Sequence, residues 1–479
     1  MPDTLDAARQ IAETELGRGG GLLYNPIAWN LILLHAILTE ICAEYGSLSQ
    51  IRSNQNMGGL STPLKITVEQ SVSRWLDHPA TSTALLSFPP SWYHQRLTEL
   101  VFDRILSEPL APPVLLSPEK EAGPPNDLPF WAVVYNDTSQ IANELYVLMI
   151  DAYAAEERTV VGIHIDDIEQ SATEKTIWWD EDADVLREAE LIDPIIFDGA
   201  LLLGLGPDRE AESHGKIRQR LGQMKLLNPP EAAKRCDDKS AALKLWSQFG
   251  VPSPATASID PRASHVNVTE AINELPAGDA YISKPVSGTG ATGVHFWNSA
   301  EVTDDVMREL YDHPFLIQTW VRLAMTVHPF SGAVVPFVLR LHVVDGSVES
   351  GYAVVGNSPE DRVISVARGA RPTPIDRAMA QVFVAGVQRA VTQKEWQGIC
   401  QVAESAHSAI NSGLTESEEI RITGIDLVPT DQNGNLVGVV LEANARPAGL
   451  AHGRAVGRDP LMARRPTVSE KLWGCRQTK

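Results

Sequence analysis

The sequence predicts a fold of mixed α/β and α+β class with a helical N-terminal region. The first 120 residues have the apolar spacing of helices, and from Phe130 onward apolar strands alternate with helices. Near the C-terminus, two apolar runs flank Asn433-Gly434, which is a strong hairpin signal. The length of 479 residues leaves room for several domains at roughly 100–200 residues each.

Composition argues against several functional classes. A formal net charge of −21 disfavours nucleic acid as the main partner, because phosphate binding needs concentrated Lys and Arg. The four scattered cysteines include no C-x-x-C pair, which disfavours a disulfide framework or a zinc site. The N-terminus lacks signal-peptide features, and the most apolar helical stretch, Ile27–Ala43, is interrupted by polar residues. We therefore expect a cytoplasmic protein with neither a membrane nor a nucleic acid as partner.

Local signals predict the elements in order. Helices are expected in "TLDAARQIAETEL" and over Asn25–Tyr45, the second with Asn25 as its N-cap and Pro26 at its first helical position. The Pro-rich segment 107–129 is expected to be a linker or a wrapped connector. Strands are expected in "FWAVVYND", "RTVVGIHIDD" and "DPIIFDGALLLG". Further helices are predicted near 139–155, in "HGKIRQRLGQM", over Asp238–Phe249 up to Gly250, and over Pro374–Val391.

The segment Gly288–Gly293, "GTGATG", matches the pattern G-x-G-x-x-G. A dinucleotide site needs a helix after the glycines, but "VHFW" follows here and favours a strand. Lys284, four residues before the first glycine, offers a compact positive charge suited to phosphate. The pattern predicts a β-hairpin that folds over a triphosphate. Taken alone, such a match is more often a plain turn.

The hairpin around Asn433-Gly434 carries alternating polar residues. Glu442, Asn444 and Arg446 share one face of the second strand because alternate residues of a strand point the same way. A two-residue turn would place Asp426 opposite Leu441, whereas a three-residue loop would place it opposite Glu442. The second register gathers the polar groups on one face, and Asp, Glu and Asn oxygens are ligands that suit Mg²⁺. An ordinary solvated strand face is the competing interpretation.

Four separated segments, in this order, resemble the ATP-grasp superfamily. "DDKSAALKLWSQFGVPSPAT" resembles the segment of the first ATP-contacting lysine, and "YISKPVSGTGATGV" resembles the second lysine strand with its glycine loop. "FLIQTWV" resembles the hinge that pairs with adenine, and "GIDLV…LEANARPAG" resembles the metal-binding strands. The resemblance covers roughly residues 130–458.

The resemblance implies a role for each matching residue. The residues implied to bind ATP are Lys239, Lys284, Ser287, Gly288, Thr289, Gly290, Gly293, Gln318, Thr319, Trp320 and Val321. Those implied to bind Mg²⁺, or Mn²⁺, are Asp426, Glu442 and Asn444. Arg340 and Arg446 are the implied catalytic residues, and the weaker substrate candidates are Gly449, His452 and Arg454. No acidic residue follows the hinge in "RLAMTVHPF", so the ribose contact is unassigned.

The resemblance also implies a domain order. A pre-ATP-grasp α/β domain (121–228) is followed by two ATP-gripping lobes (229–316 and 317–479), whereas the helical N-terminal region (1–120) lies outside the family's common core. Substrate recognition, homodimer formation and scaffolding are all open roles for the N-terminal region.

The activity implied by the resemblance is ATP-dependent ligation of a small-molecule carboxylate to an amine. It proceeds through an acyl phosphate and releases ADP and phosphate. Two alternatives stay open: a small-molecule kinase on the same fold, and a nucleotide-binding module without catalysis. The complete Asp426, Glu442 and Asn444 set disfavours the second alternative.

Overall fold

The computed structural model describes part of the chain. Its continuous stretches are 26–46, 62–77, 116–118, 130–135, 159–165, 174–180, 185–191, 197–203, 225–260, 265–276, 280–288, 293–298, 314–328, 332–365, 370–373, 375–446 and 449–450. Single residues are also described at 51, 94, 97, 98, 101, 102, 105, 148, 278, 291 and 368. By compactness, residues 1–122 with 177–189 form one unit, and residues 123–176 with 190–479 form another.

Two helices are described in the first unit, α1 (Pro26–Tyr45) and α2 (Thr62–Leu76). They meet through the hydroxyls of Tyr45 and Thr67, 2.9 Å apart. The start of α1 at Pro26 confirms the predicted helix, since Pro fits the first helical turn. No helix among the described residues is long and apolar enough to span a membrane. The helix expected in "TLDAARQIAETEL" lies outside the described residues.

Seven strands, β1 to β7, are described up to residue 227. Their bounds are Leu116–Pro118, Phe130–Tyr135, Thr159–His164, Glu174–Asp180, Val185–Leu191, Phe197–Leu202 and Lys225–Leu227. In the second unit, β3, β2, β6 and β7 lie side by side in that order, and all are parallel. This confirms the predicted parallel sheet. In the first unit, β1 lies inside the segment predicted to be a linker or a wrapped connector, and it pairs in parallel with β5. The helices expected near 139–155 and in "HGKIRQRLGQM" lie outside the described residues, apart from Leu148.

A four-stranded antiparallel sheet follows, with the order β10-β9-β11-β8. Its elements are β8 (Thr256–Ile259), β9 (Ala280–Pro285), β10 (His295–Asn298) and β11 (Phe315–Thr319), and α5 (His265–Glu274) lies between β8 and β9 in the chain. Before this sheet come α3 (Pro230–Asp237) and α4 (Lys239–Gln248). Asp238 caps α4 by accepting hydrogen bonds from Ser240 and Ala241, and Gly250 follows the helix with a φ of 68°. The predicted helix over Asp238–Phe249 is thereby confirmed.

The glycine-rich segment joins β9 to β10, and we call 280–298 the glycine hairpin. Ser283 lies opposite His295, and Tyr281 opposite Trp297. Because β10 begins two residues after Gly293, the prediction of strand, glycine loop and strand is confirmed, and a dinucleotide turn is excluded.

The remaining elements form an eight-stranded antiparallel sheet with two helices. Its strands are β12 (Met325–Val327), β13 (Val334–Val344), β14 (Ser347–Val355), β15 (Arg371–Thr373), β16 (Val382–Val384), β17 (Val387–Arg389), β18 (Ile422–Gln432) and β19 (Asn435–Asn444). The helices are α6 (Ile375–Met379) and α7 (Gln393–Asn411). Strand β13 is central, between β14 and β18. Helix α7 packs under β18 and β19, so one face of this sheet is buried in apolar core and the other is left for polar groups.

The helix predicted over Pro374–Val391 is wrong beyond its first turn. The structure has the short α6, then a hairpin of β16 and β17. The turn residues Ala385 and Gly386 have φ values of 52° and 75°, the left-handed geometry of a tight two-residue hairpin turn. Val382 and Val384 point one way into the core, which is strand periodicity. These local preferences override the helical spacing of the apolar residues.

The hairpin of β18 and β19 pairs Asp426 with Glu442, as predicted, but not by the predicted loop. The turn is the two-residue Asn433-Gly434, since Gln432 pairs directly with Asn435. A bulge corrects the register: Leu427 pairs with Val440 and Asp426 with Glu442, so Leu441 has no partner across this ladder. The three-residue loop was wrong because Asn433 and Gly434 both take the positive φ that the tighter turn requires.

His407 of α7 is a buried neutral histidine, which gives the fold a pH dependence. Asn411 accepts from the Ile420 N–H, so its Nδ2 faces His407 Nε2 at 3.1 Å as a donor. The ring therefore accepts at Nε2 and donates from Nδ1 to the Thr423 hydroxyl at 3.0 Å. Burial lowers the pKa of His407 from 6.5 to about 4.

We expect this histidine to make the protein less stable in acid. Between pH 6.5 and about 4 the unfolded chain binds the proton more readily, so the contribution is complete above pH 6.5 and is lost as the pH falls towards 4. The loss is at most about 3 kcal/mol. Urea unfolding of His407→Gln should have a shallower pH dependence than the wild type in this window. Parallel pH profiles for the two proteins would contradict the assignment.

Candidate active site

Four side chains form a row across the open face of the eight-stranded sheet. Tyr352 lies opposite Arg340, Arg340 opposite Asp426, and Asp426 opposite Glu442. Arg340 binds Asp426 with both arms: Nε donates to Oδ1 at 2.7 Å and the terminal nitrogen to Oδ2 at 2.6 Å. Asn444 Nδ2 lies 3.4 Å from Asp426 Oδ2, so the structure brings the three predicted metal ligands together.

Two lysines from other elements reach the same place. Lys239 Nζ, at the first residue of α4, lies 3.7 Å from Glu442 Oε1 and donates to the Gly288 carbonyl at 2.6 Å. Lys284 Nζ, from β9, donates to the Leu441 carbonyl at 3.0 Å. Both lysines are buried, with 8% and 6% exposure. Burying two ammonium groups beside one carboxylate is costly, so these are not solvated surface lysines.

The site carries more positive than negative charge. Lys239, Lys284 and Arg340 face two carboxylates. Burial lowers the pKa of Lys284 to about 8, and Glu442 partly opposes that shift. Burial also raises the pKa of Glu442, while Lys239 and Lys284 act in the opposite direction. Burial alone would lower the pKa of Arg340, but its pairing with Asp426 raises it above the usual value. A surplus of cations in a desolvated site favours an anionic ligand.

Arg446 follows this row in the chain and is paired with Asp237, a residue that no sequence motif singled out. Its guanidinium pairs with Asp237, the last residue of α3, and only 6% of its side chain is exposed. Asn228 anchors the adjoining strand ends: Nδ2 donates to the carbonyls of Ile422 and Ala445, and Oδ1 accepts from Arg421 and Ile422. The predicted contact of Arg446 with substrate stays a prediction.

The predicted adenine hinge lies at the end of β11. Gln318 is buried and donates from Nε2 to the Thr256 hydroxyl at 2.8 Å. The N–H groups of Thr319 and Trp320 donate to the carbonyls of Ala255 and Ala280. These bonds occupy the N–H groups of two hinge residues, and the predicted contact of Gln318, Thr319, Trp320 and Val321 with adenine stays a prediction.

The other predicted residues fall into two groups. Ser287 and Gly288 are exposed at the start of the glycine loop, and Gly293 has a φ of 67° where a Cβ would lie 2.9 Å from the Pro285 side chain. Gly449 also needs to be glycine, because its φ is 92° and a Cβ would collide with the Tyr352 hydroxyl. Four predicted residues lie outside the described part of the chain: Thr289, Gly290, His452 and Arg454.

The predicted metal ligands suit a hard divalent cation. Asp426 and Glu442 lie directly opposite each other, and Arg340 and Lys239 offset the repulsion between the two carboxylates. The Asp426 carboxylate accepts bonds from Arg340 and Asn444, which leaves part of its acceptor capacity for a metal. Among the described residues, no three His, Cys, Asp or Glu residues cluster as a metal site, so the amide of Asn444 is needed to complete this set.

No family model and no curated protein matches this sequence. Solved structures do match. D-cycloserine synthetase DcsG is 16% identical, with 68% of this chain and 99% of that chain covered and a TM-score of 0.45. VanG D-Ala:D-Ser ligase from Enterococcus faecalis is 15% identical, with coverages of 73% and 99% and a TM-score of 0.44. The ATP-grasp ligase PsnB is 15% identical, with coverages of 66% and 90% and a TM-score of 0.40.

Proposed function

We propose that this chain is an ATP-dependent ligase of the ATP-grasp type that joins a small-molecule carboxylate to an amine, with amino acids as the expected substrates. One observation carries the proposal: Lys239, Lys284 and Arg340 converge on Asp426 and Glu442 beside the glycine hairpin. That combination of cations, paired carboxylates and glycine-rich backbone donors fits a triphosphate with a divalent metal.

The chain's own residues have separable tasks. Lys239 and Lys284 neutralise phosphate oxygens, and the N–H groups of the glycine loop cover them. Arg340 presents a planar guanidinium at the sheet surface, where it stabilises the anionic species formed at the acyl carbon. Bound at Asp426, Glu442 and Asn444, Mg²⁺ or Mn²⁺ would supply further neutralisation of phosphate charge.

The proposed reaction has two steps. A substrate carboxylate oxygen attacks the γ-phosphorus of ATP, the bond to the bridging oxygen breaks, and ADP leaves. The amine then attacks the acyl carbon, inorganic phosphate leaves, and the amine loses a proton. Closure of the glycine hairpin keeps water from the acyl phosphate. No covalent enzyme nucleophile is required.

Hydroxylamine trapping tests this proposal. A screen of amino acids and small carboxylates with ATP and Mg²⁺ should find an acid that gives a hydroxamate together with ADP. A kinase that phosphorylates a hydroxyl would release ADP without hydroxamate. AMP and pyrophosphate as products would exclude the acyl-phosphate route.

A further inference from the structure

The connector between β14 and β15 is held in shape by its own hydrogen bonds. We call residues 356–370 the connector; 366, 367 and 369 lie outside its described part. Gly356 donates to the Pro336 carbonyl at 2.8 Å, which fixes the start of the connector to β13. Asp361 Oδ2 accepts the N–H groups of Asn357 and Ser358 at 2.8 and 3.1 Å. These hydrogen bonds fix the backbone conformation at the start of the connector.

Arg368 of this connector donates hydrogen bonds to the glycine hairpin. One guanidinium nitrogen donates to the Val294 carbonyl at 2.7 Å and to the Ala291 carbonyl at 3.2 Å. These carbonyls flank Gly293, whose positive φ turns the chain into β10. Lys239 holds the other end of the loop through the Gly288 carbonyl. The two ends of the glycine loop are thus bound by cations from two different elements.

Arg362 makes a second contact between the connector and the hairpin. Its guanidinium carbon lies 6.0 Å from the ring centre of Phe296 in β10 and 5.5 Å from that of Trp320 in the hinge. The two rings meet edge to face, with centres 5.6 Å apart. Between Phe296 and the connector lies a cavity of ≈ 320 Å³. The connector and the hairpin are therefore joined by two exposed arginines, Arg362 and Arg368, beside a cavity. Such a contact buries little apolar surface.

We propose that Arg368 is a positioning residue: by holding the Ala291 and Val294 carbonyls against the connector, it sets the course of the glycine hairpin beside the proposed triphosphate site. This inference rests on the proposed function for its nucleotide, but the contact itself is tested separately. Among the described residues, the guanidinium donates to two main-chain carbonyls of the hairpin, so its effect on nucleotide binding would act through the backbone of the loop.

The test compares Arg368→Ala, Arg368→Lys and the control Arg377→Ala, which removes an exposed arginine from α6. Amide hydrogen exchange is measured over 286–298, and the Kd of Mg·ATP is measured by calorimetry. We expect exchange in Arg368→Ala to rise several-fold in this segment only, with Mg·ATP binding roughly fivefold to tenfold weaker. Arg368→Lys should recover part of both effects, and Arg377→Ala should match the wild type.

Unchanged exchange over 286–298 in Arg368→Ala would overturn the proposal, whatever happens to nucleotide binding. Faster exchange with an unchanged Kd would overturn the positioning role. If the wild type itself does not bind Mg·ATP, the proposed function fails, and the exchange measurement still decides whether Arg368 holds the hairpin. Because Arg368 is exposed, loss of its side chain leaves the core intact.

Discussion

Glu442→Gln should abolish nearly all Mg²⁺-dependent release of ADP while the protein stays folded. The substitution keeps the shape of the side chain but removes one of two carboxylates, leaving Lys239, Lys284 and Arg340 facing only Asp426. The loss of an anionic metal ligand should lower turnover by roughly 100- to 1,000-fold. Stability should be equal or higher, because burial already disfavours the charged form of Glu442 and raises its pKa.

The matched control is Glu274→Gln, which makes the same chemical change at an exposed position at the end of α5. Turnover is followed by coupled detection of ADP, and folding by circular dichroism and thermal unfolding. Near wild-type turnover in Glu442→Gln would remove Glu442 from the proposed metal site. An unfolded variant would instead assign Glu442 a structural role.

Arg340→Met should be among the most destabilising substitutions on the open face of the sheet. Both Asp426 oxygens lose their guanidinium partner, and Asp426 then faces Glu442 across the ladder with less compensating charge. Removing one partner of a largely desolvated pair should cost about 2–4 kcal/mol in the free energy of unfolding. The side chains of both partners are 24% exposed, which places the expected cost below that of a fully buried pair.

The free energy of unfolding in urea separates the contribution of the Arg340–Asp426 ion pair from that of each side chain alone. Arg340→Lys keeps a positive charge but loses the two-armed geometry, so its cost should be smaller. Replacing both partners, Arg340→Met with Asp426→Leu, should recover much of the lost stability, because no charge is left unpaired. An Arg340→Met protein with the unfolding midpoint of the wild type would refute the structural role of this pair.

Local sequence preferences were sufficient for the glycine hairpin and its surroundings. The β-branched and aromatic residues of "VHFW" predicted a strand after the glycines, and β10 lies there. Local signals of this kind also mark two other elements of the chain. Thr392 and Glu395 form a capping box that marks the start of α7, and Ala385-Gly386 marks the turn that replaces the predicted helix.

Other parts of the site depend on contacts between residues far apart in the chain. Asp237 meets Arg446 across 209 positions, and Arg368 meets Val294 across 74. Neither Asp237 nor Arg368 carries a local signal, since a single Asp at the end of a helix or a single exposed Arg is compatible with many surroundings. The register of Asp426 was predicted correctly from the preference for one polar face, but the bulge that produces it leaves no pattern in the letters.

The hydrogen bond from Lys284 to the carbonyl of Leu441 joins the four-stranded sheet to the eight-stranded sheet. Because Leu441 is the bulge residue, this bond should tolerate its substitution but not its deletion. Lys284 binds the carbonyl of Leu441, a group that every amino acid supplies, so sequence drift at this position would keep the bond. Removing the residue would leave Asp426 opposite Glu442 in a regular ladder, yet the carbonyl that receives the lysine would be gone. Among proteins that share this site, the number of residues between the turn and the glutamate should therefore vary less than their identity.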